Sequence, residues 1–347
     1  MRTSLPVLLA VTVALEARAA EAPPPALEVL VLGSGGPRVS KRASVGNLLL
    51  VQGQARILVD AGPGTFVRAG ESGVDLSALD TVLLTHLHVD HSAELPAFVK
   101  TRALDASGPV QMRVFGPSGS SLFPSTVAFV DGLFGPRGLY RYLRDFGAEM
   151  RVSAEDIPAK LGSPARSVSL PGGVSVKAQA IHHGDTPAVA FRIGLGQQSV
   201  VFSGDIDPSG LASLAQLAKG ADLLVVSCAV LDPPGSPEAL YQRHSPPKRL
   251  AETAAAAGVK ALLLTHLPPA VSVQQSEVLA SVRASFSGAV TFAEDGLRVP
   301  VPGAASERPS KPCRADADCG QGQRCDRKVC NRAPCPSWCV PLAGAHP

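Results

Sequence analysis

Short apolar runs rich in Val, Leu and Ile alternate with Gly- and Pro-containing turns between residues 27 and 302. Runs of this length that end at turn residues predict buried strands, whereas longer Ala-rich stretches predict helices. The predicted strands are residues 27–32, 47–51, 56–60, 81–85, 112–115, 174–181, 188–193, 199–203, 223–226 and 261–265. The predicted helices are residues 93–102, 211–219, 247–257 and 276–286.

This mixture of many strands with interspersed helices predicts the α/β (α+β) class, with sheets flanked by helices. No short-period repeat is found in the sequence, which excludes a solenoid. With 347 residues, 45% of them hydrophobic and 18% charged, the chain is long and apolar enough to bury a core. A net charge of +3 and an aromatic content of 4% argue against a dedicated nucleic-acid binder.

The start of the chain differs from this pattern. Arg2 precedes an apolar run over residues 5–15 and a small-residue site at 17–19, which predicts a signal peptide at residues 1–19. An ordinary buried strand or helix is the alternative. The run is too short to span a bilayer, and no other segment is predicted to be transmembrane. We therefore expect an exported protein that is periplasmic or extracellular.

The end of the chain is rich in Cys, since six of the seven fall between Cys313 and Cys339 in a segment with almost no apolar residues. An even number of Cys in an exported chain favours three disulfides, with the pairing left open. The alternative is a zinc site, although spacings of 6, 6, 5, 5 and 4 residues lack the paired C-x2-C pattern of zinc ligands. We predict a disulfide-bonded tail at 313–340, joined by a linker at 303–312 to a main domain at 27–302.

The most informative segment is Thr-His-Leu-His-Val-Asp-His at residues 85–91, at the end of a predicted buried strand. Alternate residues of an extended chain share one face, so His86 and His88 can present their imidazoles to one metal ion. Asp90 and His91 lie one step further round the turn and can reach a second ion. Four ligand-type residues in six positions predict a metal site rather than a packing role.

This segment resembles the H-x-H-x-D-H signature of the metallo-β-lactamase superfamily. Further segments match that family's pattern in the expected order: two opening turns at 32–37 and 59–65, the region of the third His at 181–193, and strands ending in an Asp at 201–205 and in a last His at 262–268. The resemblance implies a four-layer αββα sandwich with metals at one edge. The implied ligands are His86, His88 and His183 for one ion, Asp90, His91 and His266 for the other, and Asp205 as the bridge.

A ligand set of imidazoles and carboxylates suits two Zn²⁺ ions, and Mn or Fe also accept such a set. The resemblance implies that the nucleophile is a hydroxide shared by the two ions and oriented by Asp90. Three other residues are not expected to bind the metal. His182 is expected beside the site or in the core, Cys228 is expected to be a small buried hydrophobe, and His346 is expected to be uninvolved.

Within the superfamily, His244 and Ser245, followed by the Ala-rich stretch 250–260, resemble the ribonuclease Z and arylsulfatase-like branch. The resemblance implies a phosphodiester or sulfate ester as the substrate and His244 as the proton donor to the leaving oxygen. The alternative is structural, because Ser245 with Pro247 is also a reasonable start for a helix near which His244 merely lies.

The sequence departs from the tRNA-processing members of that branch in two places. Only 21 residues separate His183 from Asp205, which leaves no room for their tRNA-gripping arm. No carboxylate lies at 227–229, where the branch has the Glu that partners its catalytic His. We therefore expect a ribonuclease Z-like hydrolase of small phosphodiesters or sulfate esters, for which nucleic acid is not the expected partner. The oligomeric state is left open, with a dimer as one option.

Two other functions fit parts of the pattern. A lactonase, thioesterase or β-lactamase of the same fold would share most ligands, but β-lactamases generally lack the Asp205 bridge, and the His244 segment fits the phosphodiesterase branch better. A non-catalytic scaffold, with the Cys-rich tail as its binding module, is disfavoured because degenerate members usually lose ligands and this chain has all seven.

Overall fold

Two β-sheets form the centre of the protein in the computed structural model, which describes residues 26–302, 323–327 and 337–341. Strands and helices are numbered in chain order. The first sheet contains β1 (Leu27–Gly33), β2 (Gly46–Val51), β3 (Gln54–Ala61), β4 (Thr81–Leu83), β5 (Val110–Pro117) and β6 (Met150–Ile157). The second contains β7 (Arg166–Leu170), β8 (Val174–His183), β9 (Thr186–Leu195), β10 (Gln198–Phe202), β11 (Leu223–Ser227), β12 (Ala261–Thr265) and β13 (Ala289–Phe292). A late strand, β14 (Arg298–Pro300), joins the first sheet by pairing with β1.

The α-helices of the described residues occur in two groups along the chain. Those of the first half are α1 (Thr65–Glu71), α2 (Val89–Ser92), α3 (Leu95–Asp105) and α4 (Thr126–Phe134). Those of the second half are α5 (Leu211–Leu217), α6 (Glu238–Tyr241), α7 (Pro247–Ala256), α8 (Pro269–Val273) and α9 (Gln275–Arg283).

Three apolar clusters hold the layers together. One lies between the two sheets and contains Val29. A second joins the first sheet to α3 and contains Leu30 and Phe98, and a third joins the second sheet to α5, α7 and α9 and contains Leu250. Val29 and Leu30 are neighbours in β1 but belong to different clusters, because successive side chains of a strand point to opposite faces. The predicted four-layer αββα sandwich is confirmed.

The strands that the sequence pattern did not predict are β6, β7, β13 and β14. These are the edge strands of the two sheets. An edge strand is partly exposed and carries polar residues, as in the sequence Arg-Ser-Val-Ser-Leu of β7, so it has no continuous apolar run. Most inner strands are buried on both faces, and all of them were predicted to within a few residues. Five helices were also missed: the short helices α1, α2, α6 and α8, whose one or two turns show too little periodicity, and the nine-residue helix α4.

Strand direction determines where a site can form. In the first sheet the strands from β3 to β6 run parallel to one another, and in the second sheet the strands from β10 to β13 do so. In sheets of this kind the loops that follow the carboxyl ends of the strands form the crevice in which ligands bind. The predicted metal ligands lie in these loops and at the end of the β8–β9 hairpin.

Two short strands after the main domain, β15 (Gln323–Arg327) and β16 (Ser337–Pro341), pair antiparallel with Cys325 opposite Cys339. The predicted signal peptide and linker, most of the Cys-rich tail and His346 lie outside the described residues. Among the residues that the structure describes, no helix is long and apolar enough to cross a membrane.

Candidate metal centre

Four of the predicted ligands come from one turn between β4 and α2. The chain leaves β4 in an extended conformation, so His86 and His88, which are two positions apart, can contribute to the same group of ligand atoms. Helix α2 then begins, and Asp90 and His91 lie in its single turn. The local sequence thus delivers two pairs of ligand groups from one strand-to-helix connection.

The other three predicted ligands come from separate strands of the second sheet. His183 is the last residue of β8, Asp205 follows β10, and His266 follows β12. All but one of the seven side chains are at most 9% exposed, and His88 is partly exposed. The sandwich therefore brings into one buried cluster residues that are up to 180 positions apart, from 86 to 266.

Asp205 lies at the centre of this cluster. Its Oδ2 is 3.3 Å from Nε2 of His266 and 3.7 Å from Nε2 of His183, and its Oδ1 is 3.7 Å from Nε2 of His91. Asp90 Oδ2 also lies 3.3 Å from Nε2 of His266. The ligand atoms form overlapping groups within 4.8 Å of one another: His86, His88 and His183; His86, His91 and Asp205; Asp90, His91 and His266; and His183, Asp205 and His244.

Several of these atoms are buried without a hydrogen-bond partner among the described residues. They are Nε2 of His91, Oδ1 of Asp205 and both ring nitrogens of His266. Leaving a buried polar atom unpaired costs about 1–3 kcal/mol, so such atoms normally have a partner. A divalent cation would engage them, because imidazole nitrogens and carboxylate oxygens are its usual ligands. The cluster therefore fits a divalent metal ion.

The charge state of the cluster also suits a cation. Burial holds the pKa values of His86, His88 and His183 below their usual range, so these imidazoles are neutral near pH 7. Burial alone would raise the pKa of the Asp205 carboxyl, but the surrounding imidazoles, first that of His266, hold it well below its usual range. Metal ligands must be deprotonated, and these four groups already are, whereas His91, whose pKa is raised, would give up its Nε2 proton to a bound cation.

Asp60, which the sequence reasoning treated only as part of a turn, lies directly behind His91. Its Oδ2 accepts hydrogen bonds from Nδ1 of His91 at 2.8 Å and from Oγ1 of Thr85 at 2.8 Å, and its Oδ1 accepts one from the Thr85 amide at 2.7 Å. Burial alone would lower the pKa of His91, but the carboxylates of Asp60 and Asp205 raise it to about 9. The proton held on Nδ1 directs Nε2 toward Asp205, which is how carboxylates orient metal-binding imidazoles.

Backbone groups support the cluster as well. The Nδ1 of His183 donates to the backbone oxygen of Arg243 at 2.7 Å, so its Nε2 faces Asp205. A Cβ atom on Gly62 would lie 2.1 Å from the backbone oxygen of Asp90, so that close approach requires glycine. The turn at 59–65 therefore serves the site both through Asp60 and through the space that Gly62 leaves.

Comparison with known proteins agrees with this arrangement. The family model for the metallo-beta-lactamase superfamily matches residues 43–241. This chain belongs to the metallo-beta-lactamase superfamily. A protein named ribonuclease Z from Mycobacterium bovis (strain BCG / Pasteur 1173P2) is 33% identical over 291 residues, which cover 79% of this chain and 98% of that protein.

Solved structures show the same metallo-beta-lactamase fold. The short form of human tRNase Z aligns with a TM-score of 0.59 at 21% identity, covering 79% of this chain and 99% of its own. The metallo-beta-lactamase fold protein YhfI from Bacillus subtilis aligns with a TM-score of 0.58 at 21% identity, covering 78% and 98%. The fold and the branch of the superfamily that the motifs indicated are thus confirmed.

His244, the predicted proton donor of this superfamily member, lies at the border of the cluster. Its Nδ1 is 3.9 Å from Oδ2 of Asp205 and has no hydrogen-bond partner among the described residues. Burial lowers the pKa of His244 to about 4, so the ring is neutral near pH 7. The end of β11 carries Ser227, followed by the fully buried Cys228, where the branch has its Glu. Cys228 is thus a small buried residue, as predicted, and burial raises the pKa of its thiol to about 12.

The structural explanation offered for the His244-Ser245 pair is wrong in one respect. Helix α7 begins at Pro247 with Pro246 before it, and the Ser245 hydroxyl is buried without capping the helix. His182 is partly exposed and not a core residue. It donates from Nδ1 to Asp207 and faces away from the ligand cluster.

Proposed function

We propose that this chain is an exported hydrolase that uses two divalent ions, Zn²⁺ with Mn or Fe as alternatives, to cleave small phosphodiesters or sulfate esters. The observation that carries the proposal is the central position of Asp205, whose two oxygens face imidazoles on different sides. Asp205 belongs to one group of ligand atoms with His86 and His91 and to another with His183 and His244, so it could be shared by both ions.

Cations bound in such a site supply Lewis acidity, which lowers the pKa of a water molecule and withdraws charge from the ester. The chain's own groups would then position the water molecule and the leaving oxygen. Burial alone would raise the pKa of Asp90, but the close contact of its Oδ2 with Nε2 of His266 lowers it, so the carboxylate is ionised and can orient a water molecule. Near pH 7 His244 is neutral, so its remaining N–H can stabilise the leaving oxygen by a hydrogen bond rather than by transferring a proton.

The connection between His183 and Asp205 supports a small substrate. It consists of β9 and β10, which form a tight hairpin in which Leu195 lies opposite Gln198. All the chain between the two ligands is used in strands and short turns of the sandwich. We therefore do not propose a substrate that is bound by a separate arm at this point, as tRNA is in the tRNA-processing members of the branch.

RNA is nevertheless the second candidate, because a relative that is 33% identical is named ribonuclease Z. A phosphodiester in RNA and one in a small molecule require the same chemistry at the metal centre. What separates the candidates is binding outside the centre. The two are distinguished by comparing cleavage of a precursor tRNA with that of a small diester by the same preparation.

The test is a substrate panel on metal-reconstituted protein: bis(4-nitrophenyl) phosphate, 4-nitrophenyl sulfate, a lactone, a cephalosporin and a precursor tRNA. We expect turnover of the phosphate diester or the sulfate ester. The variants His88→Ala and Asp205→Ala should lose metal and more than about 100-fold of kcat/KM, since even indirect partners of metal ligands contribute 10- to 100-fold. The control His182→Ala should retain both.

Each other outcome has a defined meaning. Full activity of both ligand variants would refute the site. Turnover of the lactone or the cephalosporin alone would indicate a different branch of the superfamily. Bound metal without turnover of any ester would favour the scaffold. Export is tested separately by sequencing the mature N-terminus, which should be Ala20, whereas a cytoplasmic protein that keeps Arg2 would contradict it.

A further inference from the structure

A cleft of about 350 Å³ opens beside the metal centre, on the side of His244 and His266. Its first rim is formed by residues 37 and 38, its second by residues 235–237 together with Leu240, and its third by residues 268–270. Both His side chains belong to its lining and also to the cluster around Asp205. A molecule bound at the centre can therefore extend into this cleft without any change in the fold.

The lining of the cleft is mainly apolar. Arg38 is the one permanently charged side chain among the described residues that line it, and none of them carries a carboxylate. Removing apolar surface from water is favourable, so such walls favour an apolar group. The side chains that form the walls are Pro37, Pro237, Leu240, Pro268, Pro269 and Ala270.

The wall formed by residues 235–237 and Leu240 is held in place by hydrogen bonds. The Ser236 amide donates to the Tyr241 hydroxyl at 2.9 Å, and the Ser236 hydroxyl accepts from the Leu231 amide at 3.0 Å. The Leu240 amide donates to the backbone oxygen of Pro237 at 3.0 Å. A preformed wall does not have to be ordered on binding, so the apolar contact contributes to affinity with less entropic cost.

His244 connects the cleft with the chemistry. Its Nδ1 faces Asp205 at 3.9 Å, while the same ring lines the cleft. An ester oxygen that contacts His244 therefore has its organic group directed into the apolar space. The volume lies at the lower end of the range for small-molecule sites, so it suits a compact group rather than a polymer.

We propose that this cleft binds an aryl or similarly compact apolar group of the substrate, attached to the anionic ester at the metal centre. The proposal rests on the proposed function and narrows it to anionic esters with an apolar leaving group. Leu240 and Ala270 would then determine specificity from two different walls, and Arg38 at the rim would favour an anion.

The test compares two ligands that carry the same anion but differ in the apolar group: phenylphosphonate and methylphosphonate. Neither is an ester, so binding to the metal-loaded full chain is measured by calorimetry without turnover. We expect phenylphosphonate to bind about tenfold more tightly or better, because the ring buries more apolar surface. In Leu240→Asn, which makes a wall polar, and in Ala270→Trp, which fills the cleft, this preference should fall to about twofold or less.

Three comparisons make the result decisive. Methylphosphonate should bind equally to the native protein and both variants, which shows that the centre is intact. Ala270 is exposed, so its variant remains informative if Leu240→Asn does not fold. Leu139→Asn, at a position that is 80% exposed and outside the cleft, should keep the full preference.

The result that overturns the proposal is equal binding of the two phosphonates by the native protein, or a preference that survives in both cleft variants. Failure of the proposed function looks different. In that case no phosphodiester or sulfate ester of the substrate panel is cleaved, while the preference for phenylphosphonate is still present. If esters are cleaved and no preference is found, the cleft proposal alone is wrong.

Discussion

Replacing Asp60 by Asn tests whether the metal centre depends on a residue outside the ligand set. The three hydrogen bonds that Asp60 accepts come from the Thr85 amide, the Thr85 hydroxyl and Nδ1 of His91. In Asn one oxygen becomes an NH₂ group, which cannot accept. If the amide oxygen stays with the Thr85 amide, the NH₂ group faces His91, whose proton must move from Nδ1 to Nε2. That proton then occupies the nitrogen that faces Asp205.

The opposite orientation of the Asn side chain is also unfavourable. Its oxygen would then accept from His91, and its NH₂ group would face the buried Thr85 amide, so that two donors meet. An unpaired buried donor costs about 1–3 kcal/mol. Loss of a partner that orients a metal-binding His typically weakens metal binding about 10- to 100-fold. We therefore expect the Kd for Zn²⁺ to rise by that factor and the free energy of unfolding to fall by about 1–3 kcal/mol.

The assay is competition for Zn²⁺ against a chromophoric chelator, combined with urea unfolding of the metal-stripped protein. A matched control is Asp222→Asn. Asp222 is as buried as Asp60, at 1% exposure each, and it accepts from the Ser199 amide at 2.8 Å and pairs with Lys260 at 2.6 Å. The control should lose stability and keep its Kd. A wild-type Kd in Asp60→Asn would refute the orienting role.

The Asp60–His91 pair gives the stability of the metal-stripped protein a pH dependence with a defined sign. Despite burial, the carboxylates of Asp60 and Asp205 raise the pKa of His91 from 6.5 to about 9. The stabilisation is therefore complete below about pH 6.5 and is lost as the pH rises through about 9. This rise corresponds to a contribution on the order of 3 kcal/mol. Because other buried groups also titrate, the quantity to measure is the stability difference between wild type and Asp60→Asn. It should shrink over this range, and a difference that grows would contradict the assignment.

Two further predictions concern other positions. Gly62→Ala should lower the free energy of unfolding by about 1–3 kcal/mol, because the new Cβ would lie 2.1 Å from a backbone oxygen. Gly70→Ala in α1, where a Cβ would have nothing within 4 Å, should raise it by about 0.5–1 kcal/mol. Urea unfolding of the two variants measures both changes. The thiol of Cys228, with its pKa raised by burial to about 12, should resist iodoacetamide near pH 8 until the protein unfolds, as read by peptide mass spectrometry.

The contrast between inner and edge strands explains how much of the fold could be predicted. An inner strand such as β12, with the sequence Ala-Leu-Leu-Leu-Thr, is buried at every position and is readable as an apolar run. An edge strand such as β13 alternates between exposed and partly buried positions over only four residues, which is too short for a clear signal. The layers could thus be predicted, while the width of each sheet could not.

The same distinction applies to the site. His86, His88, Asp90 and His91 are adjacent in sequence, so their convergence requires only the geometry of a strand and a turn. The contacts of Asp60 are 25 and 31 positions away along the chain, and they exist only because β3 lies beside β4 in the sheet. A single Asp in a turn carries no local sign of such a role. Pairing between strands therefore creates functional contacts that the sequence pattern does not contain.

The absence of a Glu near His244 agrees with the neutral state of that ring. A carboxylate partner is needed to stabilise a charged imidazolium, but burial lowers the pKa of His244 to about 4 and keeps the ring neutral. A neutral ring carries one N–H and needs no counter-ion, so uncharged residues can stand at 227 and 228. The carboxylate that does face His244 is Asp205, at 3.9 Å. Replacing Asp205 should therefore disturb the orientation of His244 as well as metal binding, whereas His244→Ala should lower turnover and leave metal content unchanged.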